Sequence, residues 1–164
     1  MTEYSVEIYL YDISRGIASK ISENLIGKQI SGVWHSSLVV YGKEYFFSNK
    51  VECLEEGEFS KIKSLYPSKI INYGVTNVPE ELFNERFEAC KKIYTNENYD
   101  LLYHNCNHVT NYLCQFLLGK NIPDEILEQH ADYANTEKGA KIVSWIQLIE
   151  KCYRTMGGNF NPFG

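Results

Sequence analysis

Hydrophobic and polar residues alternate in four short segments in the first half of the chain. In the first of them, Val6, Ile8 and Leu10 recur at every second position, which is the period of a strand with one face in the core. Two later segments flank the dipeptide Gly42-Lys43, and a two-residue turn between such segments predicts a β-hairpin. The predicted strands cover residues 6–10, 34–41, 44–48 and 70–76.

Other segments place hydrophobic residues three and four positions apart, which predicts helices that pack one face on a core. Pro79 near the first helical position and Gly119 just past the last mark the ends of two of them. A stripe around Trp145 near the end of the chain predicts a helix that docks on the core, rather than on a second subunit or a partner helix. The predicted helices cover residues 17–25, 79–94, 106–118, 124–129 and 138–156, and residues 51–67 predict a loop with a short strand.

Composition and charge narrow the class of protein. The 164 residues favour one α+β domain, and 44% hydrophobic with 23% charged residues is ordinary for a globular protein. A net charge of −5 without a basic run argues against a nucleic-acid partner. No apolar run approaches membrane-spanning length and the N-terminus lacks a signal-peptide pattern, so we expect a cytosolic or nuclear protein. The five cysteines, odd in number and irregularly spaced, then predict free thiols.

Cys106 is the cysteine whose surroundings indicate chemistry. Its neighbours are polar, and Asn105 before it is a good N-cap for the predicted helix. The free N–H groups and the positive dipole end of a helix N-terminus favour an anion, and cysteines placed there have lowered pKa values. Cys106 is therefore a candidate nucleophile, whereas the other four cysteines fit buried or inert positions.

His35 is the candidate general base, because histidine titrates near neutral pH and can take the proton of a thiol. The period of its strand places His35, Ser37 and Val39 on one face, with Trp34, Ser36 and Leu38 on the other. A structural, hydrogen-bonded histidine is the alternative for this position.

A metal site at the segment containing His104, Cys106 and His108 is disfavoured. Positions two apart on a helix point in different directions, and no second cluster of ligands completes a zinc site. We therefore expect no metal and no cofactor, with His104 and His108 as outer or solvent-side groups.

Two long motifs together resemble the PPPDE peptidase family, the desumoylating isopeptidases. The first combines residues 9–16 and 27–40, and the second combines 99–107 and 115–123, so that the resemblance spans residues 4–127 in order and spacing. His108 departs from the family pattern, where a small polar residue is expected. The family is known as papain-like thiol peptidases with a circularly permuted order, in which histidine precedes cysteine.

The resemblance implies a fold, a site and a function. It implies a small antiparallel sheet packed with helices, with residues 1–130 as the peptidase domain. The segment after His130 differs from the tails of the family, and the sequence predicts residues 131–164 as an extension with one helix and a flexible tail. Cys106 would be the nucleophile and His35 the base, in a homodimer with its groove near the subunit interface. The substrates so implied are isopeptide bonds after the C-terminal glycine of SUMO or of ubiquitin.

Three further residues and two other functions stay open beside this interpretation. Asn105 and Gln29 are candidate second donors to an oxyanion, after the backbone N–H of Cys106, and Trp34 is a candidate wall of the substrate groove. A thioesterase that removes S-acyl groups could use the same dyad, and a non-catalytic module that binds a modifier could use none of it.

Overall fold

A computed structural model describes residues 1–155, without the side chains of residues 146, 150 and 153–155. The predicted flexible tail and residue 156 of the last predicted helix lie outside the described residues.

A five-stranded antiparallel sheet forms the centre of the fold. All four predicted strands are present, and the strand order is β4-β3-β2-β1-β5. The α+β prediction is therefore confirmed, while the circular permutation stays a prediction. The strands are β1 (Tyr4–Asp12), β2 (Trp34–Val40), β3 (Lys43–Phe47), β4 (Val51–Glu55) and β5 (Lys69–Thr76).

The hairpin turn lies one residue earlier than predicted. Val40 pairs with Lys43, so the turn consists of Tyr41 and Gly42, with φ angles of 54° and 71°. Two positive φ angles in a two-residue loop are the signature of a type I′ turn, which suits the twist of the flanking strands. The Tyr41 side chain stabilises this backbone, since its hydroxyl donates to the carbonyl of Val78 at 2.6 Å.

Helices cover both faces of the sheet. The short strand predicted within residues 51–67 is present as β4, whereas the six-residue helix that follows it and a second short helix after residue 128 were missed. The helices are α1 (Ile17–Ile26), α2 (Glu58–Lys63), α3 (Glu80–Ile93), α4 (Cys106–Leu118), α5 (Asp124–Leu127), α6 (Gln129–Ala134) and α7 (Glu137–Thr155).

The two faces of the sheet carry different cores. The inner face packs on α3 and α4, and Leu38 of β2 belongs to this larger core together with Val109 and Leu113 of α4. The outer face carries a small aromatic cluster in which Val39 of β2 packs with Phe59 of α2. The alternation predicted for β2 is thus confirmed, with odd-numbered residues outward and even-numbered residues inward.

The C-terminal helix α7 contacts the rest of the protein with a narrower face than predicted. Val143 is buried, but the Trp145 side chain is 65% exposed and Leu148 is 58% exposed. Trp145 itself therefore does not dock on the core as predicted, although α7 contacts α1 and α6.

One carboxylate is fully buried on the outer face of the sheet. Glu44 of β3 accepts hydrogen bonds at its Oε1 from the Tyr11 hydroxyl and from Ser37 Oγ, both at 2.5 Å. Burial raises the pKa of this carboxyl group. Glu44 therefore links β1, β2 and β3 by hydrogen bonds beneath α2. The cost of burying its carboxyl group is larger when the group is ionised than when it is protonated.

Replacing Glu44 should destabilise the fold in a pH-dependent way. Glu44→Ala leaves two buried hydroxyls without their acceptor and should lower the free energy of unfolding by about 2–3 kcal/mol. Glu44→Gln keeps an acceptor oxygen and should cost less. Because the folded pKa lies above the ordinary 4.5, native protein holds a proton that the unfolded chain releases, so the stability of wild type relative to Glu44→Gln should fall as the pH rises above about 4.5.

Urea unfolding of wild type and Glu44→Gln from pH 4 to pH 8 measures this difference. Glu55→Gln on the neighbouring strand is the matched control, since Glu55 is exposed and its replacement should leave the pH dependence unchanged. If the stability of wild type relative to Glu44→Gln rises with pH, the raised pKa of Glu44 is contradicted.

Candidate active site

Cys106 is the first residue of α4, and Asn105 caps the helix as predicted. The Asn105 side-chain oxygen accepts from the backbone N–H of Asn107 at 2.9 Å. His108 completes a reciprocal capping box, because its Nδ1 accepts from the backbone N–H of Asn105 at 3.2 Å. The residue that departs from the family pattern therefore has a local structural role here.

The N-terminus of α4 lies against the edge of β2. β3 pairs with β2 at Leu38–Val40 and, among the described residues, leaves the preceding part of that edge uncovered. There Ser36 Oγ donates to Asn107 Oδ1 at 2.6 Å, and Thr110 Oγ1 donates to the Ser36 carbonyl at 3.2 Å. The backbone N–H of Ser36 donates to the Cys106 thiol. This buried network fixes the thiol beside the residue that follows His35.

Burial dominates the electrostatics of the thiol. Cys106 is 3% exposed, and burial raises the pKa of its thiol to about 12 although three backbone N–H groups act in the opposite direction. The expectation that the helix N-terminus lowers this pKa was wrong for the free protein, since desolvation of the thiolate outweighs the helix end. The protonated thiol instead donates a weak hydrogen bond to Asn107 Oδ1, with the sulfur 3.8 Å from the oxygen.

His35 lies on the outer face of the sheet, whereas Cys106 belongs to the inner core. Its ring stacks on Phe59 of α2 at 5.3 Å between centroids, with an interplanar angle of 10°. Its Nε2 is buried without a hydrogen-bond partner, and within the described part of the chain no hydrogen bond joins the imidazole to the thiol. Burial, with a smaller effect of Lys63, lowers the pKa of His35 to about 4. The two residues thus lie on opposite faces of the sheet, and both are neutral.

The three other candidates occupy distinct positions. The Asn105 amide is engaged at both ends, because its Nδ2 donates to the carbonyl of Leu101 at 2.8 Å. Gln29 lies away from the thiol, and its Nε2 donates to the carbonyl of Ser19 at 2.6 Å. Trp34, in contrast, lines the cavity that contains Cys106.

That cavity is apolar and has a volume of about 320 Å³. Aliphatic side chains of α1 and α7 form one part of its wall, including Ile21, Leu25 and Val143. Cys106 and Asn105 also line it. The nucleophile candidate therefore faces a hydrophobic chamber rather than open solvent.

Sequence reasoning missed several polar residues around the thiol. Asn107 links Ser36 to Trp34, and Gln129, His130 and Tyr133 line the same cavity as Cys106. The residues from α6 carried no local signal, since a short helix brings them to the site through the tertiary fold. Asn107 could have been suspected from its place directly after the nucleophile candidate.

Neither a metal site nor a membrane span emerges from the described residues. Within residues 1–155 no three His, Cys, Asp or Glu side chains are placed to hold a metal ion. His104 stacks on Tyr94 with centroids 4.3 Å apart, so it turns away from Cys106. No helix in that same range is long and apolar enough to cross a bilayer.

Comparison with known proteins identifies the family. The model of the PPPDE putative peptidase domain matches residues 4–147, which include β1, both candidate residues and most of α7. This chain belongs to the PPPDE peptidase family. The match extends past residue 130, where the sequence predicted the end of the domain.

Curated relatives carry the name desumoylating isopeptidase 1. The protein of Xenopus laevis is 32% identical over 94% of this chain and 89% of its own length. The proteins of Rattus norvegicus and Homo sapiens are 33% and 34% identical, over 95% and 90% of this chain and 91% and 87% of their own lengths. This PPPDE peptidase is therefore a hydrolase, while its homodimer and its location remain predictions.

The burial of Cys106 predicts slow alkylation in the absence of substrate. With a pKa of about 12, the thiolate fraction at pH 8 is about a thousandfold below that of an ordinary thiol. Iodoacetamide pulses between pH 6 and pH 10, read by peptide mass spectrometry, should modify the exposed Cys152 at least about a hundredfold faster than Cys106. A Cys106 that alkylates fastest, with a rate already constant below pH 7, would instead reveal a preformed thiolate–imidazolium pair.

Proposed function

We propose that this PPPDE peptidase is a cysteine isopeptidase that cleaves the bond between the C-terminal glycine of a ubiquitin-like modifier and a target lysine. SUMO is the first candidate modifier, because the curated relatives are named desumoylating isopeptidases, and ubiquitin is the second. The observation that carries the proposal is the single cysteine at the N-terminus of α4, with its thiol against the edge of β2. Family membership supports the same chemistry.

Cys106 acts as the nucleophile and His35 as the general base. His35 directly precedes the residue whose N–H donates to the thiol, and its buried Nε2 has no other partner to displace. The imidazole has to leave its stack on Phe59 and turn around the uncovered edge of β2 before it can accept the proton. Substrate binding therefore has to supply the free energy that creates a charged pair from two buried neutral groups.

The reaction proceeds through an acyl-enzyme. His35 takes the thiol proton, and the sulfur attacks the carbonyl carbon of the terminal glycine to form a tetrahedral oxyanion. The backbone N–H of Cys106 donates to that oxyanion. Collapse breaks the C–N bond as the imidazolium protonates the leaving lysine amine. Water, deprotonated by His35, then hydrolyses the thioester, which releases the glycine carboxylate and restores the thiol.

Labelling by modifiers with a C-terminal thiol-reactive group tests the nucleophile, the base and the substrate together. SUMO and ubiquitin probes should label wild type, Cys106→Ser should abolish the adduct, and His35→Ala should slow it by about 10²–10⁴-fold, the usual contribution of a general base.

His130→Ala is the matched control, because His130 lines the same cavity without being the proposed base. Loss of labelling in His130→Ala with retention in His35→Ala would replace His35 as the base. Absence of labelling by every modifier probe would overturn the isopeptidase proposal.

A thioesterase acting on S-acylated proteins is the second candidate function, and the apolar cavity favours it. An acyl chain in this chamber would contact aliphatic residues of α1 and α7 and bring its thioester carbonyl to Cys106. Leu25→Trp narrows the chamber from its half-exposed rim. If the protein is a thioesterase, this change should reduce hydrolysis of a palmitoyl thioester at least tenfold and leave modifier labelling unchanged. If it is an isopeptidase, the change should affect neither palmitoyl thioester hydrolysis nor modifier labelling.

A further inference from the structure

The uncovered edge of β2 is completed by side chains in place of a strand. Trp34 and Ser36 direct their backbone groups to this edge, as residues two apart in a strand do. The Ser36 N–H meets the Cys106 thiol. At Trp34 the partner is Gln129 of α6, whose Oε1 accepts from the Trp34 N–H at 2.9 Å and whose Nε2 donates to the Trp34 carbonyl at 2.7 Å.

The Gln129 amide makes the two hydrogen bonds that one residue of a neighbouring antiparallel strand would make. One backbone N–H and one backbone C=O are satisfied together, which is the pattern of a hydrogen-bonded strand pair. The Tyr133 hydroxyl donates to Gln129 Oε1 at 2.5 Å and holds the amide in this orientation. Asn107 Nδ2 also donates to the Trp34 carbonyl, at 3.2 Å, so this carbonyl keeps one donor when Gln129 moves.

Gln129 stands between two cavities. On one side is the apolar chamber of Cys106, and on the other is an open groove of about 780 Å³ with polar lining from Gln29, Ser31 and Lys69. Residues of a common wall line both cavities: Ile30, Trp34, Gln129 and Tyr133.

Gly32 allows the Trp34 ring to close this wall. A Cβ atom at Gly32 would lie 3.0 Å from the indole and 3.1 Å from the Asp12 carboxyl carbon. Any residue other than glycine at position 32 would therefore displace the indole. The close contact with Gly32 fixes the position of the Trp34 ring in the wall.

We propose that Gln129 occupies the binding position of the substrate tail: the extended C-terminal segment of the substrate displaces the Gln129 amide from Trp34, pairs with β2 as an added strand, and so reaches Cys106 through the opening that Gln129 leaves. This inference rests on the proposed isopeptidase function. Gln129 is a positioning and gating residue, and the backbone N–H and C=O of Trp34 bind the substrate tail.

The geometry of a strand supports this pairing. A chain that pairs at Trp34 continues along the edge toward Ser36, and two strand residues span about 6.6–6.8 Å. The next peptide carbonyl of the tail then lies where the thiol is held beside the Ser36 N–H. A glycine-ended tail suits the last step, because residues without side chains pass the crowded N-terminus of α4 most easily.

The first experiment tests whether the Gln129 amide restricts access to Cys106. Gln129→Ala removes the amide that bonds the Trp34 backbone and keeps the helix. It should raise the rate of iodoacetamide modification of Cys106 and the rate of labelling by the SUMO probe, each on the order of tenfold. Tyr133→Phe should act in the same direction to a smaller extent, because it frees the amide without removing it. Gln115→Ala, at an exposed glutamine of α4, is the matched control and should change neither rate.

The second experiment tests strand pairing directly. Peptides with the sequence of the SUMO tail and a C-terminal thiol-reactive group are N-methylated at one position at a time. Methylation of the residue that donates to the Trp34 carbonyl should reduce labelling at least tenfold, and its two neighbours should be tolerated, because adjacent strand residues direct their N–H groups to opposite sides.

Each outcome decides one part of the inference. Labelling that falls in Gln129→Ala, or that tolerates every N-methyl group, would overturn the added strand. Alkylation of Cys106 that is unchanged in Gln129→Ala would overturn the gate. If no modifier probe labels wild type while alkylation still rises in Gln129→Ala, the proposed function fails and the gate stands, so the two failures are distinguishable.

Discussion

The need to satisfy the backbone of β2 where β3 leaves it determines the geometry of the active-site candidate. Buried N–H and C=O groups without partners are costly, and at Trp34 and Ser36 no strand supplies them among the described residues. Side chains from the first two turns of α4 and from α6 supply them instead. The same contacts fix the position of the Cys106 thiol, so the site is a consequence of completing the sheet edge.

Burial then decides the resting state of the chemistry. The helix N-terminus and three backbone N–H groups favour a thiolate, yet removal of the thiol from water favours the neutral form more strongly. His35 is subject to the same effect, since its ring packs against Phe59 and Tyr11. At rest, the thiol and the imidazole are therefore neutral groups on opposite faces of one strand.

The sequence predicted the parts of this arrangement that depend on local pattern. Alternation along β2 placed His35 and Ser36 on opposite faces, and Asn105 was identified as the cap because its side chain bonds within its own turn. The pattern did not predict α2, whose six residues become helical where Phe59 covers the outer aromatic cluster. Nor could it predict Gln129, which meets Trp34 across a separation of 95 residues. The sequence analysis also overestimated the effect of the helix dipole on the pKa of Cys106, because the extent of desolvation is a property of the folded chain.

The outer face of the sheet connects the stability of the fold to the environment of His35. Glu44 binds Tyr11, whose ring packs with both His35 and Phe59, and α2 carries Phe59 over that face. The stack that keeps His35 from Cys106 therefore depends on a helix of only six residues, held by aromatic contacts and by one buried carboxyl group. A helix this short has little stability of its own, so its contacts with the sheet determine whether it stays in place. In the proposed mechanism, contacts on the outer face of β2 therefore determine how readily the imidazole leaves its stack, while Gln129 at the edge controls access to the thiol.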